Sequence, residues 1–506
     1  MPVSFVRKEL RDKIVQYDLI DDCLIGEQRI KYKKDKYLPR PNPTDQSAEN
    51  AARYDAYITR ANFMNVAQQT LLGMRGQVFL RDPLVEVPKV LEPVIVDATG
   101  GGVPMEQLAQ QWVDKTLAHG RVGLYVDYPN MVNPATGEAV GASVEQVETG
   151  QARPTFKLVP ARDCINWRSK RRGAKLVLSL VVFREDYEEE EDSFGSTLVK
   201  DQWRVLRLDE NDNYVIEIYR DKNATKPIES YMPKDAAGNT FDEIGFTFIG
   251  ATNNEPTVDE PPLYSICSLN IGHYRNSADY EESVYQLGQP TFWFAGLTQK
   301  WISDVFQDKP IPIGALGAIA LPADGSAGIL QAEPNTLAKE AMDQKEAQML
   351  ALGAKLIEGS QTQRTATEAD YDNISETSVL STIAKNVGSA IQWGLIYACR
   401  FVGVIPPAEG QEGAVAYELN TEFDLVTLTP EERNTLAKEY QAGGITWTEW
   451  RDSLRRAGIA SLSDDDAKKE VQDEEAERMA NAVKEAEGMA AAAALANPET
   501  NDNPAA

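Results

Sequence analysis

A chain of 506 residues is long enough for about two to four domains and a sizeable buried core. Its 78 acidic residues outnumber 51 basic ones, a formal charge of −27. That balance excludes a globular nucleic-acid binder working through a broad basic surface, because phosphate affinity needs concentrated Lys and Arg. With 42 % hydrophobic and 25 % charged residues, general disorder is excluded as well.

In chain order, residues 1–36 read as helical and carry a basic cluster at Lys31, Lys33, Lys34 and Lys36. Three prolines between Pro39 and Pro43 end that helix. Helix resumes near Ser47, with Tyr54, Ile58, Ala61 and Val66 on one face, and stops at Gly73 or Gly76. Val94–Val96 reads as a short strand before Gly100-Gly101-Gly102. A helix from Met105 to Ala118 leads through Gly120 into the alternating, half-buried strand of Val122, Leu124, Val126 and Tyr128. Lys175–Phe183 is an apolar strand. The run 185–192, with seven carboxylates in eight residues, is expected to face water. Leu198–Leu208 and Tyr214–Tyr219 flank the polar turn Asp209–Asn213, a hairpin signal. Ser265–Leu287 reads as a helix containing Gly272, and Pro290–Phe294 as a strand. A Gly- and Pro-rich region follows, its apolar segments too short for long helices. Leu337–Ile357 is a helix, and 359–367 a polar loop. A second long helix from Ile374 to Val402 bears the ridge Val379, Ile383, Val387, Ile391, Leu395 and Cys399, spaced by four. A strand at 423–428 precedes three capped helix starts, at Thr429-Pro430, at Thr446 with Glu449, and at Ser463 with Asp466. From Asp464 onward, twelve acidic residues face four basic ones, so the tail reads as a marginal alanine-rich helix giving way to disorder near Asn497.

Motifs that would carry chemistry are incomplete. Cys23, Cys164, Cys267 and Cys399 form no CxxC pair and fit a reducing compartment. His119 and His273 are the two histidines, and neither has other metal-ligand types at ligand spacing. His119 reads as a structural side chain at a helix-to-strand turn, and His273 as a packing or subunit-contact residue. No P-loop or nucleophile elbow is present. Asp209, Asn211 and Asn213 resemble the start of a calcium loop, but Tyr214 stands where glycine is required and Arg220 where the closing glutamate belongs, so a hairpin turn is the better reading. The basic cluster Arg168, Lys170, Arg171 and Arg172 reads as surface or subunit salt bridges. No run reaches the roughly 18 apolar residues of a membrane span, and the N-terminus lacks a signal-peptide core. A soluble, non-enzymatic chain without cofactor or membrane partner is expected.

Four blocks then carry a family resemblance. They are Tyr57-Ile58-Thr59-Arg60-Ala61-Asn62-Phe63 continuing to 76–83; His119-Gly120 through Asp127-Tyr128-Pro129; Leu269-Asn270 through His273-Tyr274-Arg275 to Asp279-Tyr280; and Glu346, Met349, 352–354, 365–369 and 378–380. In this order they resemble the phage portal proteins, in a group whose members are often labelled only as a domain of unknown function. The resemblance implies an α+β fold with a mixed wing domain (1–264), a two-helix stem (265–289 and 336–358) and a small α/β clip (290–335). A tunnel-facing loop, long helix and strand returning to the wing (359–428), a helical crown (429–463) and an acidic tail (464–506) follow. It implies a head–tail connector ring of twelve copies at one capsid vertex of a virion, assembled in the bacterial cytoplasm, through which double-stranded DNA is packaged and ejected without sequence-specific binding. Implied partners are the terminase large subunit, a head–tail adaptor, the major capsid protein and, as a further candidate, scaffold protein. Lys355, Gln361, Gln363 and Arg364 become candidates for the channel. Arg60, Phe63, His119, Asp127, His273, Tyr274, Arg275 and Asp279 become candidates for subunit contacts. The alternatives are another virion head protein, a minor capsid or connector component, and a hydrolase with a carboxylate and histidine pocket.

Overall fold

The computed structural model describes residues 2–129, 146, 152–189, 198–288, 291–306, 321–330, 336–358, 378–407, 414–421, 423, 430–456, 460, 467–473 and 478–479. Contacts divide the chain into two units, 1–421 and 422–506. The architecture is mixed, with many helices and four sheets among the described residues.

The first unit opens with α1 (Lys8–Ile25) and α2 (Glu27–Tyr32), separated by Gly26 at φ +102°, a left-handed conformation that glycine adopts without strain. Asp22 is buried at this corner and accepts bonds from Tyr37 (2.6 Å), Arg29 (2.8 Å) and Lys36 (3.1 Å), so part of the basic cluster is internal structure. The single helix expected after Ser47 is two helices, α3 (Ala48–Arg60) and α4 (Val66–Val78). Ser47 caps the first and Asn65 the second, each accepting a backbone N–H three residues on. Val94–Val96 is not a strand but the end of a short helix, α5 (Glu92–Val96), with proline in its first turn. The three glycines after it wrap the Asp97 carboxylate, which accepts the Gly100 and Gly102 N–H groups at 2.9 Å.

The core is layered. Helix α6 (Met105–His119) ends at Gly120 and enters β2 (Arg121–Asp127), the middle strand of a three-stranded antiparallel sheet with β3 (Thr155–Pro160) and β9 (Phe246–Gly250). A five-stranded antiparallel sheet, β4 (Cys164–Arg172), β5 (Lys175–Glu189), β6 (Leu198–Leu208), β7 (Tyr214–Tyr219) and β8 (Glu229–Tyr231), packs on one face through Tyr125 on Phe183 and Trp167 on Phe248. The other face is covered by α10 (Val379–Phe401), whose Gly394 lies against Phe156 and Leu124. Strand β2 is therefore buried on both faces rather than half-buried, which is why apolar residues occupy nearly all of it. The ridge of α10 is buried except for Val379 at its first turn.

Strand β5 runs six residues beyond Phe183, into the acidic run; Asp186, Glu188 and Glu189 face water as expected, and Glu185 alone of the described carboxylates in the run corrects that reading. Glu185 is buried between the two sheets, where it accepts bonds from Gln202 (2.7 Å) and Arg204 (3.0 Å) and pairs with Lys157. The hairpin at Asp209–Asn213 forms as expected. Asp209 accepts the N–H groups of Asn211 and Asn213 at 2.8 Å, and no cation is needed to explain its acidic and amide residues. A separate two-stranded sheet pairs β1 (Leu84–Glu86) with β12 (Ala416–Glu418).

In the second unit, α11 (Pro430–Gln441) and α12 (Trp447–Arg456) pack through Tyr440 stacked on Trp450 at 5.0 Å, with Trp447 beside both. The expected capping box is formed: Thr446 Oγ1 accepts the Glu449 N–H and the Glu449 carboxylate accepts the Thr446 N–H at 2.7 Å. Of the strand expected at 423–428, all but residue 423 lies outside the described residues, as do the caps at Thr429 and Ser463 and most of the tail.

Candidate functional site

The feature of the fold that belongs to neither the layered core nor the second unit is a helix, a small sheet and a returning helix. Helix α7 (Tyr264–Leu287) has 24 residues and spans about 36 Å. It is continuous through Gly272, so a helix end at that glycine is excluded. The glycine serves a close approach instead, because a Cβ there would stand 3.0 Å from Lys345 Cε on α9 (Leu337–Glu358). Between the helices, β10 (Thr291–Ala295) pairs antiparallel with β11 (Ser326–Leu330) from Thr291 opposite Leu330 to Ala295 opposite Ser326. That register brings the chain back to where it entered, and α9 packs along α7 in return. A short amphipathic helix, α8 (Gln299–Phe306), follows β10 and has no counterpart in the sequence reading.

The small sheet leaves large apolar side chains in water: Phe292 is 40 % exposed, Trp293 45 % and Ile329 56 %. Val284, Tyr285, Leu337 and Leu350 extend exposed apolar surface onto the two helices. Nothing in the residue pattern of the strands marks these positions, since apolar residues in a short strand read as core.

From Asn270 to Tyr285, α7 is fastened to the first helices, and two of the four sequence blocks meet there. Tyr57 donates to Asp279 at 2.6 Å, Arg60 pairs with Glu282 and lies 4.2 Å from the Tyr285 ring, and the Asn62 N–H reaches Ser277 Oγ at 2.8 Å. Phe63 meets Tyr274 edge to face at 6.0 Å, and Asn270 bridges the α3–α4 break by donating to the Met64 carbonyl at 2.7 Å and accepting the Ala67 N–H at 3.3 Å. Arg275 donates to the Tyr37 carbonyl at 2.8 Å. Arg60, Phe63, Tyr274, Arg275 and Asp279 thus come together, and each of these contacts is made within one chain. Tyr57, Asn270, Ser277 and Glu282 complete the seam; the first three fall inside the four blocks, but their residue types alone do not distinguish them from their neighbours. Burial pushes the Tyr274 hydroxyl up to about 12, and burial with the bond to Asp279 pushes Tyr57 above that.

The other candidates lie elsewhere. His273 faces α9 from the buried side of α7, near Lys345, Glu346 and Asp343; burial lowers its pKa, an effect that the carboxylates oppose and Lys345 adds to. His119 ends α6, buried, with Nε2 3.0 Å from Asp21 Oδ1 and its ring against Tyr17. Burial raises the Asp21 carboxyl, but the His119 bond and the nearby charges of His119 and Arg162 outweigh it and hold it low. Asp127 accepts from the Tyr125 hydroxyl at 2.7 Å and lies 3.6 Å from Arg204. The two histidines and Asp127 do not share a pocket. Lys355 is exposed in the last turn of α9, while Gln361, Gln363 and Arg364 lie outside the described residues. All four thiols are buried and unbridged, and burial pushes Cys164 and Cys399 up to about 11. Among the described residues, no three His, Cys, Asp or Glu side chains are grouped to hold a metal ion, and no helix is long and apolar enough to cross a membrane.

A family model described as a domain of unknown function, DUF4055, matches residues 262–402, a span that starts just before α7 and ends with α10. No curated protein matches the chain. Among solved structures, the chain is similar to one from the virion of a native gene transfer agent particle, at 13 % identity and a TM-score of 0.38 over 85 % of this chain and 99 % of that one. It is similar to a chain from the neck of an empty gene transfer agent particle computed with C6 symmetry, at 12 % identity and a TM-score of 0.40 over 79 % and 91 %. A chain from the neck of the native particle computed with C12 symmetry gives 12 % identity and a TM-score of 0.37 over 80 % and 93 %.

Proposed function

We propose that this chain is the repeating subunit of a portal ring, a non-enzymatic conduit for double-stranded DNA at one vertex of a capsid. The observation that carries this reading is the helix–sheet–helix unit: α7 and α9 pack along one another, fastened along the C-terminal half of α7 by the Tyr57–Asp279 and Arg60–Glu282 contacts and tipped by a small sheet with exposed Phe292, Trp293 and Ile329. A monomer gains nothing by holding such side chains in water, whereas exposed apolar surface of this kind marks a place where another protein sits. The match of residues 262–402 to one family model over α7, α9 and α10 supports treating them as a single functional unit.

In this reading α7 and α9 form the stem, β10, α8 and β11 belong to the clip, and α11 and α12 belong to the crown. About twelve copies surround the channel, with Lys355 in the last turn of α9 directed toward the DNA. The clip docks the terminase large subunit during packaging and the head–tail adaptor afterwards; the wing meets the major capsid protein. ATP hydrolysis belongs to the motor. The formal charge of −27 suits a conduit, since an acidic wall makes few of the phosphate contacts that would retain a moving duplex.

Negative-stain electron microscopy of the purified full chain tests this. Closed rings with a central hole are expected; a species that stays monomeric across salt and protein concentration would overturn the reading. A ring without a hole wide enough for duplex DNA would favour another head component.

A further inference from the structure

The five-stranded sheet is electrically polarised along its longest strand. Strand β5 has 15 residues, and its two charged ends lie about 36 Å apart from Lys175 to Asp186 at a strand rise of roughly 3.3 Å. The β4–β5 end carries Lys170, Arg171, Arg172 and Lys175, and Arg168 continues the basic stretch further along β4, opposite Leu180. Lys170 is paired with Asp212 and Arg172 with Asp242, but Arg168, Arg171 and Lys175 are exposed without a carboxylate partner among the described residues. At the β5–β6 end, Asp186, Glu188 and Asp201 are exposed and likewise lack an ion-pair partner among the described residues. Of the nearby cations, Arg184 pairs with Asp163 at 2.8 Å and also lies close enough to Asp186 and Asp201 to feel their charge, Lys200 pairs with Glu189, and Arg220 lies over the Tyr187 ring at 4.4 Å.

Both ends also set like charges directly opposite one another across a strand pair, Arg172 against Lys175 and Asp186 against Asp201. Such pairs oppose sheet formation; the Arg172–Asp242 pair and the nearby Arg184 offset part of that cost within one copy, and each end keeps a surplus of one sign that a partner of opposite charge would offset. Each end offers what the other lacks, and two different complementary patches on one chain make a head-to-tail contact, the kind that closes into a ring when its rotation is right.

We propose that these ends are the two halves of a lateral contact between copies: the basic β4–β5 end of one protomer receives the acidic β5–β6 end of its neighbour. This rests on the reading that the chain assembles as a ring, and it names a surface by which neighbours recognise each other. Because the groups are exposed, the contact is screened by salt and contributes mainly to register and to the rate of encounter.

The test uses the full chain, its mass distribution followed by native mass spectrometry and mass photometry against protein concentration. The variants are R168E/R171E/K175E and D186K/E188K/D201K, alone and mixed in equal amounts, with R168Q/R171Q/K175Q as the neutral control should a reversal fail to fold by circular dichroism. Each reversal alone is expected to raise the concentration for half-assembly at least about tenfold, the neutral variant less, and the mixture to recover assembly because one variant then has two acidic ends and the other two basic ends. Assembly of the single reversals at the wild-type concentration would overturn this contact and leave the ring standing. A wild-type chain that never assembles would overturn the ring and the contact together. Loss of duplex-DNA retention by the basic-end variants with assembly unchanged would overturn it in favour of a nucleic-acid contact.

Discussion

Glu185 shows how a single side chain changes meaning between sequence and structure. Flanked by six other carboxylates in an eight-residue run, it reads as solvated, yet it sits between two sheets with Arg204, Lys157 and Gln202 around it. Burial raises its carboxyl, and the charges of Arg204 and Lys157 with the bonds from Lys157 and Gln202 outweigh that and lower it. Its pKa in the fold is thus below the ordinary 4.5, and the stability it contributes is present above pH 4.5 and lost as pH falls through the native value. Replacing it with leucine is expected to cost about 3 kcal/mol in urea unfolding, because Arg204 stays buried. The mutant should also lose part of the wild-type acid dependence below that pH.

Glycines behave the same way. A Cβ at Gly123 would lie 2.4 Å from Phe246 Cζ, so Gly123→Ala should destabilise by about 2 kcal/mol in thermal or chemical unfolding. A Cβ at Gly272 meets only the flexible end of Lys345 at 3.0 Å, and the helix favours alanine by about 1 kcal/mol, so Gly272→Ala should be close to neutral. In the sequence both are single glycines inside an element.

Among the elements, the seam between α3 and α7 decides the placing of the helix pair. The long helix expected after Ser47 breaks at residues 61–65 because Ser277 and Asn270 on α7 take backbone groups that a continuous helix would keep for itself. A double-mutant cycle of Tyr57→Phe and Asp279→Asn should give a coupling of about 1 kcal/mol in unfolding free energy; no coupling would mean that this hydrogen bond contributes nothing net and that the other contacts hold the seam. His273 adds a pH dependence to the α7–α9 packing. Its pKa in the fold is lowered from 6.5, so the unfolded chain takes up the proton first. Stability is expected to be full above about pH 6.5 and to decline below it, and His273→Asn should flatten that slope. Asp343, Glu346 and Lys345 facing it from α9 set how far the slope extends.

For the whole molecule, the division at Thr421 predicts that a chain ending there keeps a cooperative unfolding transition of its own, readable by calorimetry. If β12 at 416–418 is also removed, β1 loses its partner and Leu84 and Val85 their pairing, and that transition should move to lower temperature. The larger question at this scale is assembly, where the acidic surplus sets a strong dependence on ionic strength at any contact between copies.

Local features were legible before any fold was known. The α6–β2 junction at Gly120, the hairpin around Asp209, the buried ridge of α10 and the Thr446–Glu449 capping box each follow from residues a few positions apart, whose steric and hydrogen-bonding preferences act before any tertiary contact forms. The order of the four blocks was also legible, though not that the first and third are one seam. Packing between elements settled the rest: the acidic run supplies a buried carboxylate, the 47–76 helix is split, and Phe292, Trp293 and Ile329 face water. In each case the deciding partner lies on another strand or helix, and a periodicity of 2 or 3.6 residues records which side of an element is apolar but not what stands opposite it.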